Sequence, residues 1–149
     1  MQAQVADDHQ RVFTILSIAI TAALGGFLFG YDTAVINGAV SSIETTFQTS
    51  ASTLGLTVSS ALLGSAAGAL VAGWLADRFG RRPSMLLAAV MFLLSAVGSA
   101  LAPGLVDLVI WRVVGGVAVG FASVLAPAYI AEISPAAMRG RTGSLQQLA

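Results

Sequence analysis

Among 149 residues there is no cysteine and no lysine, and only 9% are charged. Without cysteine there are no disulfides and no thiolate metal sites. The single histidine, His9, lies in a polar tail, which leaves no histidine-based metal or catalytic centre. There is no serine–histidine–aspartate set, no H-E-x-x-H pair and no Gly-rich phosphate loop followed by lysine, so nothing points to an enzyme or to a cofactor. Seven basic residues balance seven acids, giving zero net charge and no attraction to nucleic acid. Soluble domains carry about 25% charged residues. Here 56% of residues are hydrophobic and the mean hydropathy is +0.86, so the expected partner is a lipid bilayer.

Apolar runs divide the chain. Residues 1–11 form a polar tail, and residues 12–40 are apolar apart from Asp32 and Asn37. A secretory leader has an apolar core of about 7 to 15 residues followed by a small-residue cleavage site. This run is longer and has no such site, so it is expected to be a first membrane helix. Further helices are expected at about 54–76, 83–102 and 106–130, and the start of a fifth at 142–149. Together, residues 12–149 make part of an all-α transmembrane bundle. Pro83 suits a first helical position, and Pro103-Gly104 stops the third helix. Pro127 is expected to bend the fourth, because it cannot donate to the carbonyl of Ser123. In the second helix Ser60, Gly64, Gly68 and Ala72 recur every four residues, and Gly116 and Gly120 do so in the fourth. Such stripes let another helix approach closely.

Arginine sets the expected orientation. The connection after the second helix holds Arg78, Arg81 and Arg82, and the one after the fourth holds Arg139 and Arg141. The connections after the first and third helices hold none. Positive loops stay cytoplasmic, so the amino terminus is expected inside a multi-pass plasma-membrane protein.

Asp32 and Arg112 are ionisable residues well inside apolar helices. Each costs about 2.5 to 3.5 kcal/mol at mid-bilayer on insertion scales. Asp32 lies roughly 12 Å below the outer end of its apolar run and Arg112 roughly 9 Å below the same surface, at 1.5 Å per residue. Opposite charges at similar depth can meet. A guanidinium favours the ionised carboxylate, whereas a dry environment favours the neutral acid. Movement between wet and dry surroundings would then load and unload a proton. A purely structural ion pair is the plainer alternative, as is Arg112 reaching outward to Asp107. Phe29 and Tyr31 flank the carboxylate, where aromatics could face a sugar ring or simply pack.

The stretch Gly73 to Arg82 (GWLADRFGRR) resembles the loop between the second and third helices of the major facilitator superfamily, with Gly73, Leu75, Asp77, Gly80, Arg81 and Arg82 in register. With Gly26 to Val40 (GFLFGYDTAVINGAV), Arg112-x-x-x-Gly116-x-x-x-Gly120 and Pro127 to Arg141, the chain resembles the sugar porter family of that superfamily. The resemblance implies a bundle of twelve helices in two halves with sugar bound between them. It implies that Asp32 accepts the proton of a sugar–proton symporter, with Arg112 as its partner. It implies sugar contacts at Phe29 and Gln147. Asp77, Arg78, Arg81, Arg82, Glu132 and Arg139 would form a charged cytoplasmic gate. Since the sequence ends early in a fifth helix, it is expected to be the amino-terminal part of a longer transporter, needing the remaining helices as partners. The alternatives are a passive facilitator, another transporter of the superfamily, or a small membrane scaffold.

Overall fold

The structure, a computed structural model, describes residues 27 and 30–133, leaving aside the side chains at 130 and 133. The described residues form helices without strands. Helix α1 includes residues 30–47; α2 is Ala51–Phe79, α3 is Arg81–Ala100 and α4 is Leu105–Ile133. Each of α2, α3 and α4 is long and apolar enough to cross a membrane. The tail at 1–11, most of the first apolar run and the expected fifth helix lie outside the described residues.

The helices overrun their apolar spans. Helix α1 continues to residue 47, although the apolar run ends at 40. Residues 41–47 are mostly polar, with Ile43 and Phe47 the exceptions, and include no glycine or proline, so hydropathy falls while helix persists. The Thr45 hydroxyl donates within the helix to Ser41 O at 3.0 Å. The helix gives way at Gln48, whose φ of 46° is left-handed. Helix α2 starts three residues before the expected 54, at Ala51, because Ser50 caps it: the Ser50 hydroxyl accepts from the Thr53 N–H at 3.4 Å. It also ends three residues later than expected, at Phe79.

A single residue joins α2 to α3. Gly80 has φ 90° and ψ 158°, a combination open essentially only to glycine, and its N–H donates to Ala76 O at 2.8 Å. Helix α3 therefore begins at Arg81 and not at Pro83, which falls in third place. Proline is still tolerated there because first-turn N–H groups have no partner within the helix. Helix α3 ends at Ala100, short of the expected 102. Helix α4 continues through Pro127 and takes in Glu132, which had been expected beyond its end.

Helix α4 lies against both α2 and α3, which share little contact with each other. The α2–α4 contact is backbone on backbone. A Cβ on Gly64 would strike the Val113 carbonyl oxygen, and one on Gly68 that of Val117. Reciprocally, a Cβ on Gly116 would strike Ala61 O and one on Gly120 Ser65 O. The partners advance by four together on both helices, so α2 and α4 run parallel. Toward the Gly80 end, Ala72, Ala76, Ala88, Phe121 and Leu125 form a buried apolar cluster between the three helices. Outward-facing residues such as Leu63, Leu70 and Trp74 are exposed, as suits lipid as the solvent.

Replacing Gly116 with valine should lower stability by about 1–3 kcal/mol, since a rigid backbone carbonyl has to move. Gly55→Ala, at a site with open space around it, should stay within about 0.5 kcal/mol of the parent. Thermal unfolding in detergent, followed by circular dichroism, distinguishes the two.

Candidate functional site

The two charges expected to meet do so. Arg112 Nη1 donates to Asp32 Oδ2 at 2.9 Å, joining α1 to α4 across 80 positions of sequence. Arg112 is turned toward Asp32 and not toward Asp107, which sits exposed in the first turn of α4, where the helix dipole favours an acid. The partners differ in exposure: the arginine side chain is 8% exposed and the aspartate 38%. The guanidinium is the buried member of the pair and the carboxylate the more exposed one. Arg112 Nε is buried with no hydrogen-bond partner among the described residues.

A cleft of about 630 Å³ opens beside the pair, between α1, α3 and α4. Asp32, Val35, Ile36, Ala39, Ile43 and Phe47 line it from one face of α1, at the three- and four-residue spacing of a helix. Phe92, Ser95, Ala96, Ser99 and Ala100 line it from α3, and Leu108, Arg112 and Gly115 from α4. The walls are mostly apolar, and the ion pair is at one end. Tyr31 also borders the cleft, and its ring stacks on Phe27 with centroids 6.4 Å apart. Phe29 and Gln147 lie outside the described residues.

At the opposite end of the bundle, Arg81 Nη2 lies 3.2 Å from Glu132 Oε1. Arg81 occupies the first position of α3, where a cation opposes the helix dipole, and Glu132 of α4 answers that charge. Asp77, Arg78 and Arg82 crowd the same end, exposed and without an ion-pair partner among the described residues. The Arg78 guanidinium instead lies 6.0 Å from the Phe79 ring centroid. Arg139 lies outside the described residues.

Sequence reasoning overlooked the α3–α4 seam. The Ser95 hydroxyl donates to Trp111 O at 2.6 Å, and the Trp111 ring covers the space a Cβ on Gly98 would occupy. A Cβ on Gly115 would meet the Ser95 hydroxyl. The available signal was the spacing of small residues at Ser84, Ala88, Ser95 and Gly98 in α3.

Removing Asp32 as alanine should destabilise the fold by about 3 kcal/mol, because it strands a buried guanidinium, and adding Arg112→Leu should recover most of the loss. Arg81→Ala should change stability by less than about 1 kcal/mol, since that pair is solvent-exposed. A double-mutant cycle on thermal unfolding measures all three.

Residues 18–149 match the family described as "Sugar (and other) transporter". The chain is 62% identical over 135 residues to the glucose transport protein of Synechocystis sp., covering 91% of this chain and 29% of that protein. It is 44% identical over 161 aligned residues to the D-xylose-proton symporter of Escherichia coli, covering 91% and 33%. With the arabinose-proton symporter of Bacillus subtilis it shares 43% identity over 97% of this chain and 31% of the other. It thus spans about a third of the length of these relatives. Among solved structures, the inward-open form of the xylose transporter XylE from E. coli superposes with a TM-score of 0.82 at 44% identity, covering 89% of this chain and 36% of that one. The structure of the proton:xylose symporter XylE bound to 6-bromo-6-deoxy-D-glucose gives the same TM-score over 89% and 34%. An all-helical membrane bundle with this sequence match belongs to the sugar transporter family of the major facilitator superfamily.

Proposed function

We propose that this chain is the amino-terminal part of a secondary active transporter that imports a sugar together with a proton. The observation that carries the reading is the 2.9 Å pair of Asp32 and Arg112 inside membrane helices. A carboxylate that faces the cleft and is held by a buried guanidinium can exist in two states. Ionised, it satisfies Arg112; protonated, it loosens that hold and frees α1 to move relative to α4. Proton loading therefore alters the contact between two helices, which is what alternating access needs. Names among the relatives support the same reading, since the xylose and arabinose carriers are proton symporters.

The remaining assignments follow from it. The substrate is a hexose, pentose or polyol, with Phe29 and Gln147 as sugar contacts. Asp77, Arg78, Arg81, Arg82, Glu132 and Arg139 form the cytoplasmic gate, in which the Arg81–Glu132 pair is cheap to break and so fit to open and close. The amino terminus and the Gly80 turn face the cytoplasm of a plasma-membrane protein, by the distribution of arginine. Transport requires the further helices that the relatives possess. Passive facilitation is the second reading, in which the Asp32–Arg112 pair is purely structural and exchanges no proton.

In proteoliposomes holding the full-length gene product that carries this chain, uptake of D-glucose, D-xylose or arabinose should acidify the interior, and a protonophore should abolish accumulation. Asp32→Asn should lose uphill accumulation by tenfold or more (about 1.4 kcal/mol of driving force) and keep sugar exchange. Accumulation that survives both treatments would establish a driving force other than the proton, and equilibration of sugar without accumulation or acidification in the parent would establish passive transport.

A further inference from the structure

We infer that Ser95 is a positioning residue: its hydrogen bond to Trp111 O fixes the turn of α4 that aims Arg112 at Asp32. The inference rests on the proton-coupling reading above. Arg112 has a long side chain with little to hold its direction. A bond from Nη1 ties it to the carboxylate, and Nε has no hydrogen-bond partner among the described residues. Its aim has to come from the backbone that carries it.

That backbone is pinned from α3 on the same helical turn. Ser95 is 7% exposed, and its hydroxyl donates at 2.6 Å to the carbonyl of Trp111, the residue immediately before Arg112. One turn on, Gly115 leaves room for the Ser95 side chain, and Gly98 leaves room for the Trp111 ring. Hydroxyls in membrane helices ordinarily bond back to their own helix. Thr57, Ser60 and Ser123 do this, donating to Thr53, Thr57 and Gly120 carbonyls. Ser95 instead spends its proton on the neighbouring helix. Two notches and a directional bond at positions 111 and 115 leave α4 little freedom to rotate about its axis at Arg112. Ser95 borders the cleft, but its hydroxyl proton is committed to Trp111 O and the residue is buried, so its effect on coupling runs through the geometry of α4.

The test uses the full-length gene product in proteoliposomes, with D-glucose, D-xylose and arabinose each as the probe. Ser95→Ala removes the bond without adding bulk. It should reduce proton-driven accumulation by about fivefold, the population change expected from one hydrogen bond, while the sugar KM for exchange stays within about twofold of the parent, a change too small to count as one such bond. Ser59→Ala, which removes an exposed hydroxyl bonded within α2, should change neither quantity. Unaltered accumulation in Ser95→Ala overturns the inference, as does a parallel fall in exchange, which would mark Ser95 as a packing residue only. The Asp32→Asn protein separates the two proposals. If it accumulates sugar, the coupling reading fails; if it does not and Ser95→Ala still does so fully, the positioning role alone fails.

Discussion

Bare backbone meets bare backbone where α2 and α4 cross, and the position of each charge in the bundle depends on that contact. Gly64 and Gly68 admit the carbonyls of Val113 and Val117, while Gly116 and Gly120 admit those of Ala61 and Ser65. In lipid there is no hydrophobic drive to bring two apolar helices together, so close packing has to do it. Side chains at those four positions would hold the helices apart. With them absent, α4 becomes a fixed post with α2 on one side and α3 on the other.

The post carries charge at both ends. Arg112 lies seven residues after the start of α4, and Glu132 next to its last residue, some 30 Å apart at 1.5 Å per residue. The two charges are held differently. Arg112 is sealed in apolar surroundings, and losing its partner is expensive. Glu132 and Arg81 are half-exposed, and their pairing is worth little in stability.

Much of this could be read from the sequence. Charge scarcity marked the membrane, the arginine-rich stretch at 78–82 located the turn between α2 and α3, and depth arithmetic brought Asp32 level with Arg112. The depth comparison worked because it was measured from the apolar edge, not from the helix end, which for α1 lies seven residues further on. Boundaries were misjudged where polarity was equated with loop: residues 41–47 are mostly polar yet helical, and Ile43 and Phe47 continue the face that lines the cleft. Pro83 misled because proline is acceptable throughout a first turn, so it does not mark the first residue. Gly80 was placed by its motif, but only its φ of 90° explains why glycine is needed. The small-residue spacing in α3 could have pointed to a packing face, but the Ser95–Trp111 bond itself was not legible, since a serine in an apolar helix gives no sign of whether its hydroxyl bonds within the helix or across to a neighbour.

The coupling we propose comes down to whether one cleft-facing carboxylate, Asp32, changes charge when sugar binds. Infrared difference spectroscopy on the full-length protein measures that directly, through the C=O stretch of a protonated carboxylic acid. A band that rises or falls on sugar addition, and is missing from Asp32→Asn, is the predicted result. A spectrum in which sugar addition leaves no carboxylic acid signal attributable to Asp32 would contradict the account.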